Sequence, residues 1–185
     1  MNVVAYCAAE FVIATREAAG VEPMTCPPLT SDLIDPTVFA GRDLIFLDLH
    51  GNPDDQRLAG SYGLFALEAG QIRSVDLHGA VVFASTCYLG DENSPVLAAL
   101  LDSGAKCVAA GAGKNFSPAH GASYGAALLG LWFRRGLERG LSPDAALNLA
   151  KRRVQLDMTY RHMVGQKPIE DADSDALNFR LFCRN

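Results

Sequence analysis

Apolar residues along this chain fall into short unbroken runs separated by polar, glycine- and proline-containing stretches. Leu44–Leu49, Ala80–Ala84 and Ala105–Ala110 do not alternate apolar with polar, and Asp48 is the exception within the first run. A strand that is apolar on both faces is covered on both faces, which predicts a central parallel sheet between helical layers. Asn2–Cys7 predicts a first strand, and Asn178–Cys183 a last one that closes the sheet. Val21–Pro28 holds three prolines and fits either an edge strand or a loop.

Helical stretches alternate with these runs. Glu10–Ala19 is rich in helix formers and Gly20 is a natural stop. Thr30-Ser31-Asp32 offers cap oxygens for a short helix to about Ala40, interrupted by Pro36. The acidic turn Asp91-Glu92 and Pro95 open a helix over Val96–Leu101 that ends near Ser103-Gly104. Pro118–Gly136 predicts a long helix of small residues. Pro143–His162 predicts a second, with Ser142 as its cap. Asn52–Gly60 reads as a polar surface loop. Tyr62–Leu67 and Gln71–Arg73 read as a β-hairpin around Glu68-Ala69-Gly70, and Ser74 as the cap of a helical turn through Leu77. Val164–Ser174 reads as a polar, mobile tail. Strands alternating with helices predict an α/β three-layer α/β/α sandwich with a mainly parallel central sheet, as a single domain over residues 1–185.

Composition narrows the function. A net charge of −5 argues against a nucleic-acid binder, which carries a basic stripe. The basic pairs Arg134-Arg135 and Arg152-Arg153 have Glu138 and Asp144 nearby and read as solvated helix faces. Five cysteines, an odd number with no CxxC pair, suggest neither a disulfide framework nor a zinc site, so a reduced, cytoplasmic setting is expected. No apolar run reaches the roughly 18–20 residues of a membrane span, and no basic leader precedes an apolar core. Neither metal nor cofactor nor membrane is expected.

In open α/β sheets, ligands bind beyond the carboxyl ends of the strands. Three loops meet that description: His50-Gly51, the segment from Cys87, and Gly111-Ala112-Gly113. The string Asp-Leu-His-Gly occurs twice, at 48–51 and 76–79. The first copy follows a strand and the second precedes one, so they lie at opposite edges. Only His50 can then neighbour Cys87. His78 reads as a capping or surface residue, and His162 suits a helix end. His120, near a helix start, is an alternative histidine facing the same cleft. Cys7, Cys107 and Cys183 lie in apolar strand-like segments, where free cysteine packs as a small hydrophobe. Cys26, among prolines, is open to either reading. Cys87 differs, because Ala84-Ser85-Thr86 precede it and Gly90 follows, predicting a tight strand-to-helix turn that exposes the thiolate. A thiolate attacks a carbonyl carbon, an imidazole moves the proton, and backbone N–H groups steady the oxyanion. The N–H groups of Gly51 and Cys87 are the candidates. Asp48 shares a strand face with His50; it either lines the substrate pocket or fixes the imidazole, or it merely finishes the strand.

These residues resemble a known pattern. Hydrophobic strand, His-Gly, spacer, hydrophobic strand, small residue and Cys is the order seen in caspase-like (clan CD) cysteine peptidases. The chain is closer still to the CHAT domains among them. Gly63–Leu77 resembles their spacer, Phe83–Gly90 the nucleophile segment, Gly104–Ala110 the next strand and Ser142–Ala150 the late helix, so the likeness covers residues 41–155. The resemblance implies a caspase-like fold and a cysteine endopeptidase. In it His50 is the acid/base, Cys87 the nucleophile and Gly51 an oxyanion donor, with a protein or peptide substrate, room for an activating partner protein, and no cofactor. Asp48 and Ser85 would fall at the substrate pocket. Two departures stand out. Gly113-Lys-Asn115 replaces the tryptophan that commonly follows the third strand, and Ser85 stands where metacaspase-like relatives carry Asp, so basic P1 selection by that route is unsupported. Two other functions stay open. One is a catalytically silent protease-like module that binds partners. The other is a cysteine hydrolase of glutamine-amidotransferase-like or DJ-1-like arrangement, with His120 as its histidine.

Overall fold

The computed structural model describes residues 1–118, 120–166 and 176–184. Six strands form one sheet: β1 (Val3–Ala8), β2 (Met24–Cys26), β3 (Leu44–Asp48), β6 (Val81–Ala84), β7 (Cys107–Gly111) and β8 (Phe179–Cys183). Their order is β2-β1-β3-β6-β7-β8. The first five run parallel and β8 alone is antiparallel, against β7. The unalternating apolar runs are explained by the two faces they cover. On β3, Ile45 and Leu47 join one core while Leu44 and Phe46 join the other. On β6 the same division separates Val82 and Ala84 from Val81 and Phe83. One core is capped by α2 (Ala69–Arg73) and α3 (Pro95–Asp102). The other is capped by α1 (Val12–Ala19), α4 (Gly125–Glu138) and α5 (Pro143–Met163). The expected three-layer α/β sandwich is what forms.

Local signals explain most element ends. Gly20 closes α1 in the left-handed region at φ 71°, donating its N–H to Arg16. Ser94 and Ser142 cap α3 and α5, each followed by proline at the first helical position. At Gly130 a Cβ would stand 2.8 Å from the Phe83 ring, so the absence of a side chain is what lets α4 settle on the sheet. The basic faces of α4 and α5 are partly occupied: Arg135 and Arg153 both lie over the Trp132 ring.

Several expectations are corrected. Pro118–Gly136 is not one helix; α4 starts at Gly125, because Gly121 adopts φ 81° and the Ala122 N–H donates to Glu17 of α1 at 2.6 Å. The hairpin pairs β4 (Arg57–Ala59) with β5 (Phe65–Glu68), so the supposed surface loop contains a strand. Gln71–Arg73 is helical instead, because the Gln71 side chain turns back to accept the Glu68 N–H at 3.0 Å. Ser74 ends that helix and starts none. The cap before Pro36 is Asp35, not Thr30–Asp32, and the segment is a single 3-10 turn, Pro36–Phe39. Val21–Pro28 resolves as the edge strand β2. Of the tail expected over Val164–Ser174, residues 164–166 finish the turn after α5, and 167–174 lie outside the described residues.

The cysteine reading also changes. Cys107 and Cys183 are directly opposite in the β7–β8 ladder and form a disulfide. An odd cysteine count does not forbid a pair, and antiparallel register, invisible in spacing, supplies it. A cross-link across 76 residues is worth about 4 kcal/mol in the chain-entropy picture. A disulfide suits an oxidising setting, so the argument for a reduced compartment falls. Among the described residues no helix is long and apolar enough to cross a membrane.

Candidate active site

The carboxyl ends of β3, β6 and β7 lie side by side, so the three loops expected to converge do so. His50 follows β3. Its backbone is clamped by the hairpin: His50 N–H donates to Ala59 at 2.7 Å and Ala59 N–H donates back at 2.9 Å. The β4–β5 unit, outside the main sheet, thus fixes where His50 sits. The imidazole Nε2 lies 2.7 Å from Glu10 Oε1, and the Phe11 ring packs 5.2 Å away, centroid to centroid. Glu10 also accepts from the Ser61 hydroxyl with its other oxygen. Burial pushes the Glu10 carboxyl up, but the hydrogen bonds from Ser61 and His50 outweigh it and hold the group below the usual carboxylate range.

Glu10 is the functional candidate that the sequence reading missed. It lies in the 3-10 turn Ala9–Phe11 directly after β1. Because β1 pairs with β3, with Cys7 opposite Asp48, this turn emerges beside His50. A carboxylate directly after a strand end was the available signal, but which strand neighbours β3 is not written in the sequence.

Cys87 follows β6 and is half-buried. The turn it occupies is held to the β7 loop by Tyr88 N–H to Gly113 O at 2.7 Å and Gly90 N–H to Gly111 O at 2.9 Å. Tyr88 carries φ 60°, a left-handed conformation costly for a bulky residue and placed directly beside the thiol. Asn115 cradles the sulfur: its N–H donates to Cys87 Sγ at 3.3 Å, the thiol faces its carbonyl at 3.4 Å, and Asn115 Nδ2 donates to Thr86 O at 2.7 Å. An open cleft of about 500 Å³ runs over the sulfur, lined by Gly51, Pro53, Tyr88, Lys114 and Phe116 among others. A second depression, lined by Ala9, Glu10, Ser61 and Tyr62, borders the His50 side.

Of the predicted residues, Gly51 and Cys87 are in contact. A Cβ on Gly51 would stand 2.4 Å from the Cys87 carbonyl oxygen. The N–H groups of Gly51 and Cys87 donate to no backbone acceptor among the described residues. No hydrogen bond joins the His50 ring to the Cys87 thiol. Asp48 and Ser85 are buried and line neither depression. His78 sits at the opposite edge, and His120, ahead of α4, does not line the cleft. Cys7 and Cys26 are buried, and burial pushes the Cys7 thiol up to about 12.

No family model and no curated protein sequence matches the chain. Its fold has solved counterparts. The crystal structure of the Arg-specific cysteine proteinase gingipain R (RgpB) superposes with a TM-score of 0.60 at 12% identity, covering 98% of this chain and 45% of that one. The complex of Porphyromonas gingivalis RgpB pro- and mature domains gives 0.61 at 14% identity, covering 98% and 47%. The chain therefore shares the α/β fold of these gingipain structures and spans less than half of their length.

Proposed function

We propose that the chain is a cysteine endopeptidase acting through Cys87 and His50. The carrying observation is the pairing of two strand ends: Gly51 lies against the Cys87 backbone at the rim of an open cleft, while Glu10 holds the adjacent His50 ring. The Cys87 thiolate attacks the scissile carbonyl. The free N–H groups of Gly51 and Cys87 face the developing oxyanion. With Glu10 accepting from Nε2–H, Nδ1 is the nitrogen left to give a proton to the leaving amine. Thiol and imidazole need no mutual hydrogen bond before substrate arrives, since the scissile bond lies between them. The substrate is a peptide or protein and no step calls on a metal or cofactor; the solved complex of RgpB pro- and mature domains supports a protein partner for this fold, and an activating one belongs to this reading alone. The CHAT-like affiliation rests on the sequence pattern alone.

Incubation with a broad peptide library and with a peptidyl acyl electrophile tests this reading. The expected result is cleavage, with one adduct on Cys87, because Cys7 and Cys26 are buried and the remaining two cysteines are paired. A protein that neither cleaves nor takes the label sinks it. A second reading, a protease-like module that binds without cleaving, is favoured by one observation: Asn115 engages the sulfur on both sides. It predicts a thiol inert to iodoacetamide in the folded state.

Glu10→Gln is expected to lower kcat by about 10–100-fold, because the ring loses its charged anchor. Acid titration supplies the companion measurement. The carboxyl is depressed in the fold, so its stabilisation is present above the unfolded value of about 4.3 and is lost as pH falls below it. The wild type should therefore lose stability over that range more steeply than Glu10→Gln. Equal kcat in the two proteins would remove Glu10 from the site.

A further inference from the structure

Beside the Cys87 cleft lies another open depression, of about 430 Å³, at the carboxyl end of β7. Ala112 and Gly113 line it from the loop, Asn178 and Arg180 from the start of β8, and Lys151 from α5. The two depressions adjoin: Gly113 lines this one, and Lys114, the next residue, lines the cleft. The Gly113 carbonyl accepts the Tyr88 N–H at 2.7 Å, which ties this rim to the turn that carries Cys87.

The charge around that loop has one sign. Among the described residues, Lys114 is the one charged group lining the cleft, and Lys151 and Arg180 are the charged groups lining its neighbour. None of the three has an ion-pair partner among the described residues. Their own elements offer none. One turn either side of Lys151 stand Leu147, Asn148, Val154 and Gln155, and Arg180 shares its strand face with Asn178 and Phe182. A solvated helix face pairs its charges, as Arg134 does with Glu138 on α4. Partial burial and then repulsion from Arg180 lower the Lys151 pKa, so the two cations meet without a counter-charge. Backbone donors are open as well: the N–H groups of Ala112 and Gly113 donate to no backbone acceptor among the described residues. The depression on the His50 side carries the carboxylate of Glu10 instead. In a chain of net charge −5, this grouping is no overflow from a basic surface.

We propose that these cations are a substrate-binding site for acidic peptides: one carboxylate meets Lys114 at the cleft, and another, further along the peptide, meets Lys151 and Arg180 across the Ala112–Lys114 loop. The inference rests on the peptidase reading and supplies its substrate class. Cations remote from the scissile bond hold substrate and transition state alike, so they act through KM.

The test compares two peptides that share one library-selected cleavage sequence, flanked on both sides by Glu in one and by Gln in the other. Wild type should cleave the Glu peptide with a KM about tenfold lower and kcat nearly unchanged, and the difference should shrink in about 0.5 M salt. Lys151→Glu/Arg180→Glu should lose most of that difference while cleaving the Gln peptide as wild type does. Lys114→Glu should lose the remainder. If the charge-reversed pair does not fold, Lys151→Gln/Arg180→Gln replaces it. Arg139→Glu/Arg152→Glu alters net charge equally, lines neither depression and should keep the full difference. A wild type that cleaves both peptides with one KM overturns the acidic preference and leaves the peptidase reading standing. So does an equal loss in the Arg139/Arg152 pair, since net charge then explains the effect. A wild type that cleaves no library peptide overturns the peptidase reading, and this inference with it.

Discussion

Cys87→Ala is expected to abolish peptide cleavage, with kcat falling on the order of 10⁶-fold, as when the nucleophile of a coupled catalytic set is removed. The size of the effect follows from the chemistry: without sulfur no acyl-enzyme forms, and the remaining N–H donors can only polarise a carbonyl for attack by water. The fold should not suffer. The turn at Cys87 is held by backbone bonds from Tyr88 to Gly113 and from Gly90 to Gly111, none of which uses the thiol. What the substitution removes is a pair of weak sulfur contacts to Asn115. Circular dichroism and thermal unfolding should therefore match wild type while the peptide assay reads blank. His50→Ala should fall to a similar floor, and the double variant should be no worse than either, because the two residues act as a unit. Undiminished cleavage by Cys87→Ala would mean the nucleophile is elsewhere.

Gly51→Ala is the second large effect, and it tests geometry more than reagents. The added methyl would stand 2.4 Å from the Cys87 carbonyl oxygen and 2.7 Å from Thr86 Cγ2. The carbonyl oxygen cannot yield without moving the backbone that carries the nucleophile, and the Thr86 methyl belongs to a fully buried side chain. The ends of β3 and β6 must part, and the two N–H groups proposed to meet the oxyanion part with them. Loss of one oxyanion donor costs roughly 10²–10³-fold in kcat, and displacement of both the donor and the thiol should reach that range. The same strain should cost about 1–3 kcal/mol of stability, as overpacking does. Both readings come from one protein sample: cleavage at matched folded concentration, and a denaturant midpoint. A Gly51→Ala protein with full activity would show that the two strand ends are not in contact when substrate is bound.

His50 and Cys87 were legible because a buried run that stops on a polar, reactive side chain is a local statement. The repeated Asp-Leu-His-Gly could be sorted for the same reason: one copy follows a strand and the other precedes one, and that order is written in the chain. Glu10 was not legible. It reads as a helix former and becomes His50's partner only because β1 lies next to β3. Asp48 and Ser85 are buried and line neither depression, which leaves Asp48 with the alternative of finishing its strand. Period 2 put Asp48 on the face of His50, but at that depth its carboxylate meets Thr15 of α1, not the cleft. The hairpin was found with the wrong partner strand, because Gln71 prefers a side-chain bond to Glu68 over continuing the ladder.

By itself, then, the sequence determined the class of fold, the strands buried on both faces, most helix caps, and that His50 and Cys87 follow neighbouring strand ends. These depend on periodicity and on residues a few positions apart. The tertiary structure alone decided which strands are neighbours. That order brings Glu10 to His50, Gly51 to Cys87, Cys107 to Cys183 and Thr15 to Asp48. Each of these contacts joins residues far apart in the chain, and their distances follow from how the sheet is ordered and covered, which no local pattern encodes.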